Sequence, residues 1–416
     1  MNYKDFGVQR FEGKLENGMR VVLFQRVGSP VYIRAAIKAG SCYDPEGKEG
    51  LSHFLEHMMT NGSSRFPTKD LLAGHIEAVG GMYGLSTSNE LLCVNTEVGG
   101  AEDIDYALDI LRATICEPTL DPAKLENEKA IILAEYGQTT SNPNNFLLTQ
   151  ISKVIFDGTR FSHRPLGYPE SIASITIDDI KMHYKQRIHS KNIVIVAAGD
   201  ISFDHLINKL NELPFPSNSD LLDDSLNYGL SLDTCNVRIP HESKHDFIFY
   251  GFKGDETFSH DALLLKILGV ILAGGRSSRL MKRLRHDLGL IYDFQQIRIG
   301  NLYASAYGIT TNATQTNNTA VIAAFDEVFF EVAQNGITES EMNFAKNRTI
   351  KSLKRNMQRS SNWVDFHFYG ELLAADSYWT LEKYISLVES VTAEGLQQIA
   401  RKYFIQDKKY IVTIGQ

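Results

Sequence analysis

The sequence has few of the features that mark several large classes of protein. Only four of its 416 residues are cysteines, none of them in a Cys-x-x-Cys pair, which predicts reduced thiols in a cytosolic protein rather than a disulfide framework. It contains no run of 18 apolar residues, so no membrane-spanning helix is expected. Its first residues lack an apolar signal core, and we therefore expect a cytoplasmic protein.

Basic residues are also in the minority. The chain has 42 Lys and Arg against 50 Asp and Glu, a formal net charge of −8. No cluster of basic and aromatic residues is present, and this balance argues against nucleic acid as a partner. The one basic run, residues 276–285, has helical spacing and is interpreted as a solvated helix face.

The remaining composition is that of a globular protein with more than one domain. Hydrophobic residues make up 43% and charged residues 22% of the chain. Near the start, Met19–Phe24 and Val31–Ala39 are predicted to be two strands of a hairpin-like pair. Later, Asn192–Ala198 is predicted to be a buried strand that ends in a glycine, and the last predicted strand, Tyr410–Ile414, ends in the same way.

This similar element order in two halves suggests an internal duplication. We predict an α+β fold of two homologous α/β-sandwich-like domains, each with a mainly antiparallel sheet plus helices. The first domain is predicted to span residues 1–213 and the second residues 235–416. The intervening residues 214–234, rich in Pro, Ser, Asn and Asp, are predicted to be a linker.

The most informative segment is His-Phe-Leu-Glu-His at residues 53–57. On a helix, residues four apart are separated by about 40° and share one face. Two neutral imidazoles at that spacing, His53 and His57, can bind one Zn²⁺, while Glu56 is placed to reach a water. The order His-x-x-Glu-His is the signature of the inverted zinc peptidases. The alternative is an exposed amphipathic helix with solvated polar side chains.

A catalytic zinc site needs a third protein ligand. The predicted helix Ala123–Tyr136 offers Glu126, Glu128 and Glu135. The last two are seven apart and therefore lie within about 20° of each other on the helix surface. One of them can bind the metal while the other orients a ligand. Two solvated carboxylates at this spacing are the alternative.

These segments resemble the M16 metallopeptidases, the family of pitrilysin, insulin-degrading enzyme and mitochondrial processing peptidase. In that family the third zinc ligand ends a Glu-(six residues)-Glu pattern, which residues 128–135 match. Gly40-Ser41, Gly80-Gly81 and residues 163–167 agree as well, and the likeness covers nearly the whole chain. Glu128 is then implied to support the ligand shell. The resemblance implies one zinc ion per chain, with three ligands: His53, His57 and Glu135.

A second set of residues lies in the other half of the chain. In the M16 family an Arg and a Tyr seven apart contact the substrate carbonyl near the metal, and Arg285 and Tyr292 match those positions. A cation and a phenol at that place stabilise the oxyanion formed during attack on a peptide carbonyl. Taken alone, Arg285 is typical of a surface arginine and Tyr292 of a half-buried strand residue.

The chain departs from the family at one place. Gly84 and Leu85 stand where the family usually carries Asn and Ala on a strand edge beside the cleft. If a substrate is added to that edge as a strand, a hydrogen-bonding side chain is missing there and the pocket is reshaped. We therefore expect an altered substrate preference, with the metal ligands unaffected.

The resemblance implies a zinc-dependent endopeptidase that hydrolyses peptides or unfolded polypeptide segments inside a clam-shell chamber, with Glu56 as general base. It further implies a homodimer in which Arg285 and Tyr292 of one protomer serve the metal of the other. A heterodimer with a related chain is an alternative. The rival hypothesis is a non-catalytic subunit that serves as a scaffold. The ligand types also allow Co²⁺ or Mn²⁺.

Overall fold

A computed structural model describes residues 2–217, 226–374 and 377–416, and its fold is α+β. The strands in these ranges are β1 (Gln9–Lys14), β2 (Arg20–Gln25), β3 (Val31–Ile37), β4 (Met82–Thr87), β5 (Leu92–Val98), β6 (Ile193–Gly199), β7 (Cys235–Pro240), β8 (Asp246–Lys253), β9 (Phe294–Gly300), β10 (Ser305–Ala313) and β11 (Lys409–Gly415). The α-helices are α1 (Leu51–Met59), α2 (Lys69–Glu77), α3 (Ile104–Leu111), α4 (Leu125–Ser141), α5 (Pro143–Ile155), α6 (Pro169–Ser174), α7 (Ile177–Arg187), α8 (Phe203–Asn211), α9 (His260–Ala273), α10 (Asn318–Asn335), α11 (Glu339–Asn356), α12 (Ser360–Leu373), α13 (Leu381–Ser390) and α14 (Ala393–Tyr403). None of the described helices combines the length and the apolar character needed to cross a bilayer.

The first sheet has the strand order β1-β2-β6-β3-β5-β4. Strands β2 and β6 are parallel, whereas the other neighbours are antiparallel. The predicted hairpin of the second and third strands is wrong, because β6 lies between them and pairs with both. Every residue of β6 is buried. A continuously apolar strand is typical of the interior of a sheet, where other strands pair with both of its edges and both of its faces are covered.

The first unit has apolar packing on both faces of this sheet. Helix α1 contributes Phe54, Leu55 and Met58, which are fully buried among the apolar residues of the strands. Helix α12 packs on β3 and β6 and buries Trp363. At its end, the buried carboxylate of Glu371 forms ion pairs with two arginines of β1 and β2. The chain segment that carries α12 is thereby fixed to the first sheet.

The second sheet has the order β7-β11-β8-β10-β9, in which β7 and β11 are parallel. This order matches β2-β6-β3-β5-β4 of the first sheet strand for strand, including the one parallel pair. The match is the structural counterpart of the duplication predicted from the sequence. Both β6 and β11 end in glycine, and at Gly199 (φ +138°) a Cβ atom would lie 2.3 Å from the carbonyl oxygen of Pro30.

The chain forms two compact units that are not contiguous in sequence. The first comprises Met1–Tyr136, His163–Ser225 and Arg355–Glu382, and the second comprises Gly137–Ser162, Leu226–Lys354 and Lys383–Gln416. The sequence predicted one division, at residues 214–234. It did not predict that residues 137–162 belong to the second unit and residues 355–382 to the first. Residues 218–225 of the predicted linker lie outside the described residues, so the linker stays a prediction.

The basic run of the second unit, residues 276–285, is not solvated along its whole length. Its second half lies in a π-helical turn, Met281–Asp287. Arg279 is paired with Glu341 at 2.7 Å, and its side chain is only 19% exposed. The interpretation as a solvated helix face is therefore wrong at this residue, because a carboxylate on α11 approaches it from a distant part of the sequence.

Candidate active site

Helix α1 starts at a glycine that the local packing requires. Gly50 has φ +95°, and a Cβ atom there would lie 3.0 Å from the Cα of Gly167. The buried carboxylate of Asp44 accepts hydrogen bonds from the backbone N–H of Gly50 (2.8 Å) and of Ser52 (2.9 Å). It therefore satisfies the first free N–H groups of the helix and fixes its start.

The helix brings His53 and His57 to one face, and α4 brings Glu135 opposite them. Oε2 of Glu135 lies 3.7 Å from Nε2 of His53 and 3.6 Å from Nε2 of His57. One ligand atom from each of the three residues lies within 4.8 Å of the others. A tetrahedral ion with ligand distances of about 2.0–2.1 Å separates its ligand atoms by about 3.3 Å, so this donor set fits Zn²⁺ after a small movement.

The surroundings of the two imidazoles suit metal binding. Burial, reinforced by the nearby His57, lowers the pKa of His53 to about 3, so this ring is neutral at pH 7. Nδ1 of His57 lies 2.9 Å from Oε2 of Glu128. With its proton on Nδ1, His57 donates to this carboxylate and presents the lone pair of Nε2 towards Glu135.

Glu128 is buried, yet it is held in the charged form. Burial alone would raise the pKa of its carboxyl, but the hydrogen bond with His57 and the ammonium of Lys69, 3.2 Å away, outweigh burial and lower the pKa to about 2. Glu128 and Glu135 therefore lie on the same side of α4 in different surroundings. Glu128 contacts Nδ1 of His57, whereas Glu135 faces Nε2 of both imidazoles.

Glu56 lies on the same helix between the histidines and is held by β4. The Oγ1 hydroxyl of Thr87 donates a 2.6 Å hydrogen bond to Oε2 of Glu56. Burial raises the pKa of the Glu56 carboxyl above its ordinary value, and the hydrogen bond from Thr87 opposes that rise. A carboxylate whose pKa lies closer to neutrality is a better proton carrier at pH 7.

Gly84 and Leu85 lie on the same strand, β4, which is the last strand of the first sheet. A Cβ atom at Gly84 would meet no heavy atom within 4 Å. The absence of a side chain there is therefore not imposed by packing. The backbone carbonyl of Gly84 accepts a hydrogen bond from Nδ2 of Asn95 on the neighbouring strand.

Arg285 and Tyr292 belong to the second unit. Arg285 lies on the π-helical turn, and its Cζ atom is 4.7 Å from the centroid of the Tyr292 ring. The phenol is 76% exposed, which is unusual for a large aromatic residue. The predicted pair is thus brought together as a stacked cation and ring, with the phenol presented to solvent.

The sequence matches two profiles of a known protein family. The profile described as insulinase (peptidase family M16) matches residues 20–169, and the profile described as peptidase M16 inactive domain matches residues 174–349. The chain belongs to peptidase family M16.

Individual M16 relatives cover almost the full length of the chain. A protein of Bacillus subtilis (strain 168) named "Uncharacterized zinc protease YmxG" is 27% identical over 399 residues, covering 94% of this chain and 95% of the relative. A protein of Caenorhabditis elegans named cytochrome b-c1 complex subunit 1, mitochondrial, is 23% identical and covers 97% of this chain and 87% of its own. The crystal structure of a protease from Helicobacter pylori superimposes with a TM-score of 0.87 at 16% identity, covering 98% of this chain and 100% of that one. This structural likeness shows that the two chains share one fold.

Three residues that support the candidate site were not predicted from the sequence. They are Asp44 at the start of α1, Lys69 beside Glu128 and Thr87 beside Glu56. Asp44 precedes the motif within a turn and is a possible capping residue, which is a local signal. The other two come from α2 and β4, and only the three-dimensional fold brings them to the site.

We expect the Thr87 hydroxyl to affect turnover through Glu56. Thr87→Val keeps the shape of the side chain and removes the donor, so kcat for peptide hydrolysis is expected to fall about 10-fold or more, with KM and zinc content unchanged. Thr87→Ser retains the hydroxyl and is expected to stay close to wild type. Steady-state kinetics with elemental analysis measures both, and a wild-type kcat in Thr87→Val would contradict this role.

Proposed function

We propose that the chain is a zinc-dependent endopeptidase that acts on peptides or unfolded polypeptide segments. The observation that carries the proposal is the convergence of His53, His57 and Glu135, with Glu56 on the same helix as the histidines. Membership of family M16 and the name of the Bacillus subtilis relative support zinc as the metal. One zinc ion per chain is expected, since these three residues form a single group of converging ligand atoms in the part of the chain that the structure describes.

When bound, zinc supplies Lewis acidity, which polarises the scissile carbonyl and makes the attacking water more acidic. Glu56 takes the proton from this water and later passes it to the leaving amine. Thr87 holds one oxygen of the Glu56 carboxylate in a fixed direction. Glu128 fixes the ring of His57 through Nδ1, so that Nε2 stays directed towards Glu135 and would be free to hold the ion.

The peptide is proposed to bind along β4. This strand is at the end of the first sheet, and an extended peptide can add to such an edge through backbone hydrogen bonds. Gly84 leaves open space on one face of this strand, whereas Leu85, on the other face, packs against the apolar core. The missing side chain at Gly84 therefore favours substrates that bind through backbone contacts at this point, rather than through a side-chain amide of the enzyme.

We further propose a homodimer in which Arg285 and Tyr292 of one protomer stabilise the oxyanion formed at the metal site of the other. Mixing two inactive variants tests this arrangement. After subunit exchange between Glu56→Gln and Arg285→Ala chains, half of the dimers contain one intact site, so about a quarter of wild-type activity is expected. Activity that stays at the level of the separate variants would contradict the shared site.

The second candidate function is a non-catalytic subunit of a larger assembly. The Caenorhabditis elegans relative, named as a subunit of the cytochrome b-c1 complex, and the departure at Gly84 and Leu85 favour this alternative. The test is zinc content together with cleavage of a quenched fluorescent peptide by the purified chain, with and without a chelator. Zinc and chelator-sensitive cleavage support the endopeptidase. Zinc with cleavage only after a related chain is added supports a heterodimer, and neither zinc nor cleavage supports the scaffold.

A further inference from the structure

Arg164 is a buried cation that has no anionic partner among the described residues. The residue is 7% exposed, and within the described ranges neither its Nε nor its Nη2 has a hydrogen-bond partner. Two other arginines of low exposure are paired: Arg34 with Asp365 at 2.8 Å, and Arg279 with Glu341 at 2.7 Å. Because burying an unpaired charge is unfavourable, this exception calls for a physical cause.

The surroundings of Arg164 compensate the charge only in part. Its Cζ atom lies 4.6 Å from the centroid of the Tyr136 ring, a cation–π contact that leaves the guanidinium N–H groups unused. Burial lowers the pKa of the guanidinium, and the phenols of Tyr136 and Tyr168 oppose this effect. No carboxylate among the described residues contributes to that balance. An arginine nevertheless stays protonated, so the group keeps its positive charge, while its buried Nε and Nη2 atoms have no hydrogen-bond partner among the described residues.

The position of Arg164 relates it to the candidate active site. Tyr136, on which it stacks, directly follows the candidate ligand Glu135 on α4. The carbonyl of the preceding residue, His163, accepts a 3.0 Å hydrogen bond from Nδ2 of Asn89, in the turn that follows β4. Residues 163–164 therefore contact both the helix of the third ligand and the turn after the strand along which the peptide is proposed to lie.

We propose that Arg164 binds a carboxylate of the peptide substrate, an inference that rests on the proposed peptidase function. A guanidinium with unused N–H groups in a buried setting matches a carboxylate through two parallel hydrogen bonds. The carboxylate is that of an Asp or Glu side chain or that of the peptide C-terminus. A peptide with such a group at the right distance from the scissile bond supplies the missing anion and removes the cost of the unpaired charge.

Binding to an inactive protein tests this inference without requiring turnover. Zinc-loaded Glu56→Gln protein is titrated by fluorescence anisotropy with four labelled peptides of one sequence: a Glu peptide and its Gln counterpart, each with a free or amidated C-terminus. We expect a carboxylate-bearing peptide to bind about 10-fold or more tightly than its neutral counterpart. The Glu/Gln pair and the free/amidated pair show which carboxylate is bound. Equal affinities for all four peptides would overturn the proposal.

Arg164→Gln in the same protein is expected to abolish the difference between charged and neutral peptides. The matched control is Arg187→Gln, since Arg187 is also buried and stacks on a tyrosine, with its Cζ atom 4.2 Å from the ring centroid of Tyr43. This control is expected to keep the difference. Arg164→Lys, which keeps the charge and loses the paired donors, is expected to retain a smaller difference. If Arg164→Gln lowers Tm and leaves the peptide preference intact, Arg164 serves packing alone and the proposal fails.

The peptidase function and the carboxylate site fail in different ways. If the wild-type chain cleaves none of the four peptides while the affinity difference depends on Arg164, the proposed peptidase function fails and the carboxylate site stands. If the wild-type chain cleaves the charged and neutral peptides with the same kcat/KM, and Arg164→Gln changes neither value, the peptidase stands and the carboxylate site fails.

Discussion

Replacing Glu56 with Gln is expected to lower kcat for peptide hydrolysis by about 10²–10⁴-fold while zinc stays bound. The amide keeps the size of the side chain and can still contact Thr87, but it cannot accept a proton from the attacking water. Both histidines and Glu135 remain unchanged, so the metal site is preserved. Single-turnover kinetics on a quenched peptide and elemental analysis of the same preparation measure the two quantities.

The matched control for this variant is Glu126→Gln. Glu126 lies on α4, its side chain is 80% exposed, and it contacts Lys129 rather than the candidate site. It is expected to keep wild-type kcat, because a surface ion pair of this kind contributes little. A Glu56→Gln protein with wild-type kcat, or one that has lost its zinc, would contradict the role of Glu56 as general base.

Replacing Glu135 with Ala is expected to remove the zinc. Without the carboxylate the ion keeps only two protein ligands, fewer than a catalytic zinc site uses. Because the side chain of Glu135 is 43% exposed, its loss leaves no cavity in the core and the protein is expected to remain folded. Zinc per chain after dialysis, together with circular dichroism, measures this outcome, and peptidase activity is expected to disappear with the metal.

Glu128→Gln is the informative comparison on the same helix. Glu128 contacts Nδ1 of His57 and is not one of the three residues whose ligand atoms converge. Its replacement is therefore expected to weaken zinc binding by about 10–100-fold without abolishing it. Competition with a metal-binding dye gives both affinities. The assignment of the two glutamates is wrong if Glu135→Ala binds zinc like wild type, or if Glu128→Gln loses zinc as completely as Glu135→Ala.

The local parts of the site could be predicted from the sequence because helix geometry determines them. The spacing of His53 and His57 places both on one face of α1, and the seven-residue spacing of Glu128 and Glu135 places both on one side of α4. The meeting of α1 with α4 is not a local property. It came from the resemblance to the M16 family, and the structure shows the separations of 3.6 and 3.7 Å between Glu135 and the imidazoles.

The errors concern contacts between distant parts of the chain. The α+β class and the repeated element order were predicted, and the fold class is confirmed by the M16-like structures. The hairpin was wrong because β6, which comes much later in the sequence than β3, inserts between β2 and β3. The attachment of α12 to the first sheet depends on buried side chains such as Trp363, whose partner strands no local pattern reveals.

Residues that act through long-range contacts were missed for the same reason. Thr87 and Lys69 are ordinary strand and helix residues in sequence, and they acquire a role only when β4 and α2 bring them to Glu56 and Glu128. Arg164 is similar: its sequence neighbours give no sign that its charge is buried without a partner among the described residues.

X-ray absorption at the zinc edge of the purified chain, loaded with one equivalent of zinc, tests the central claim most directly. We predict two imidazole nitrogens at about 2.0–2.1 Å and one carboxylate oxygen at about 2.0–2.2 Å, with a solvent oxygen completing a four-coordinate shell. A shell made of oxygen atoms alone, or a chain that does not retain the zinc, would contradict this site.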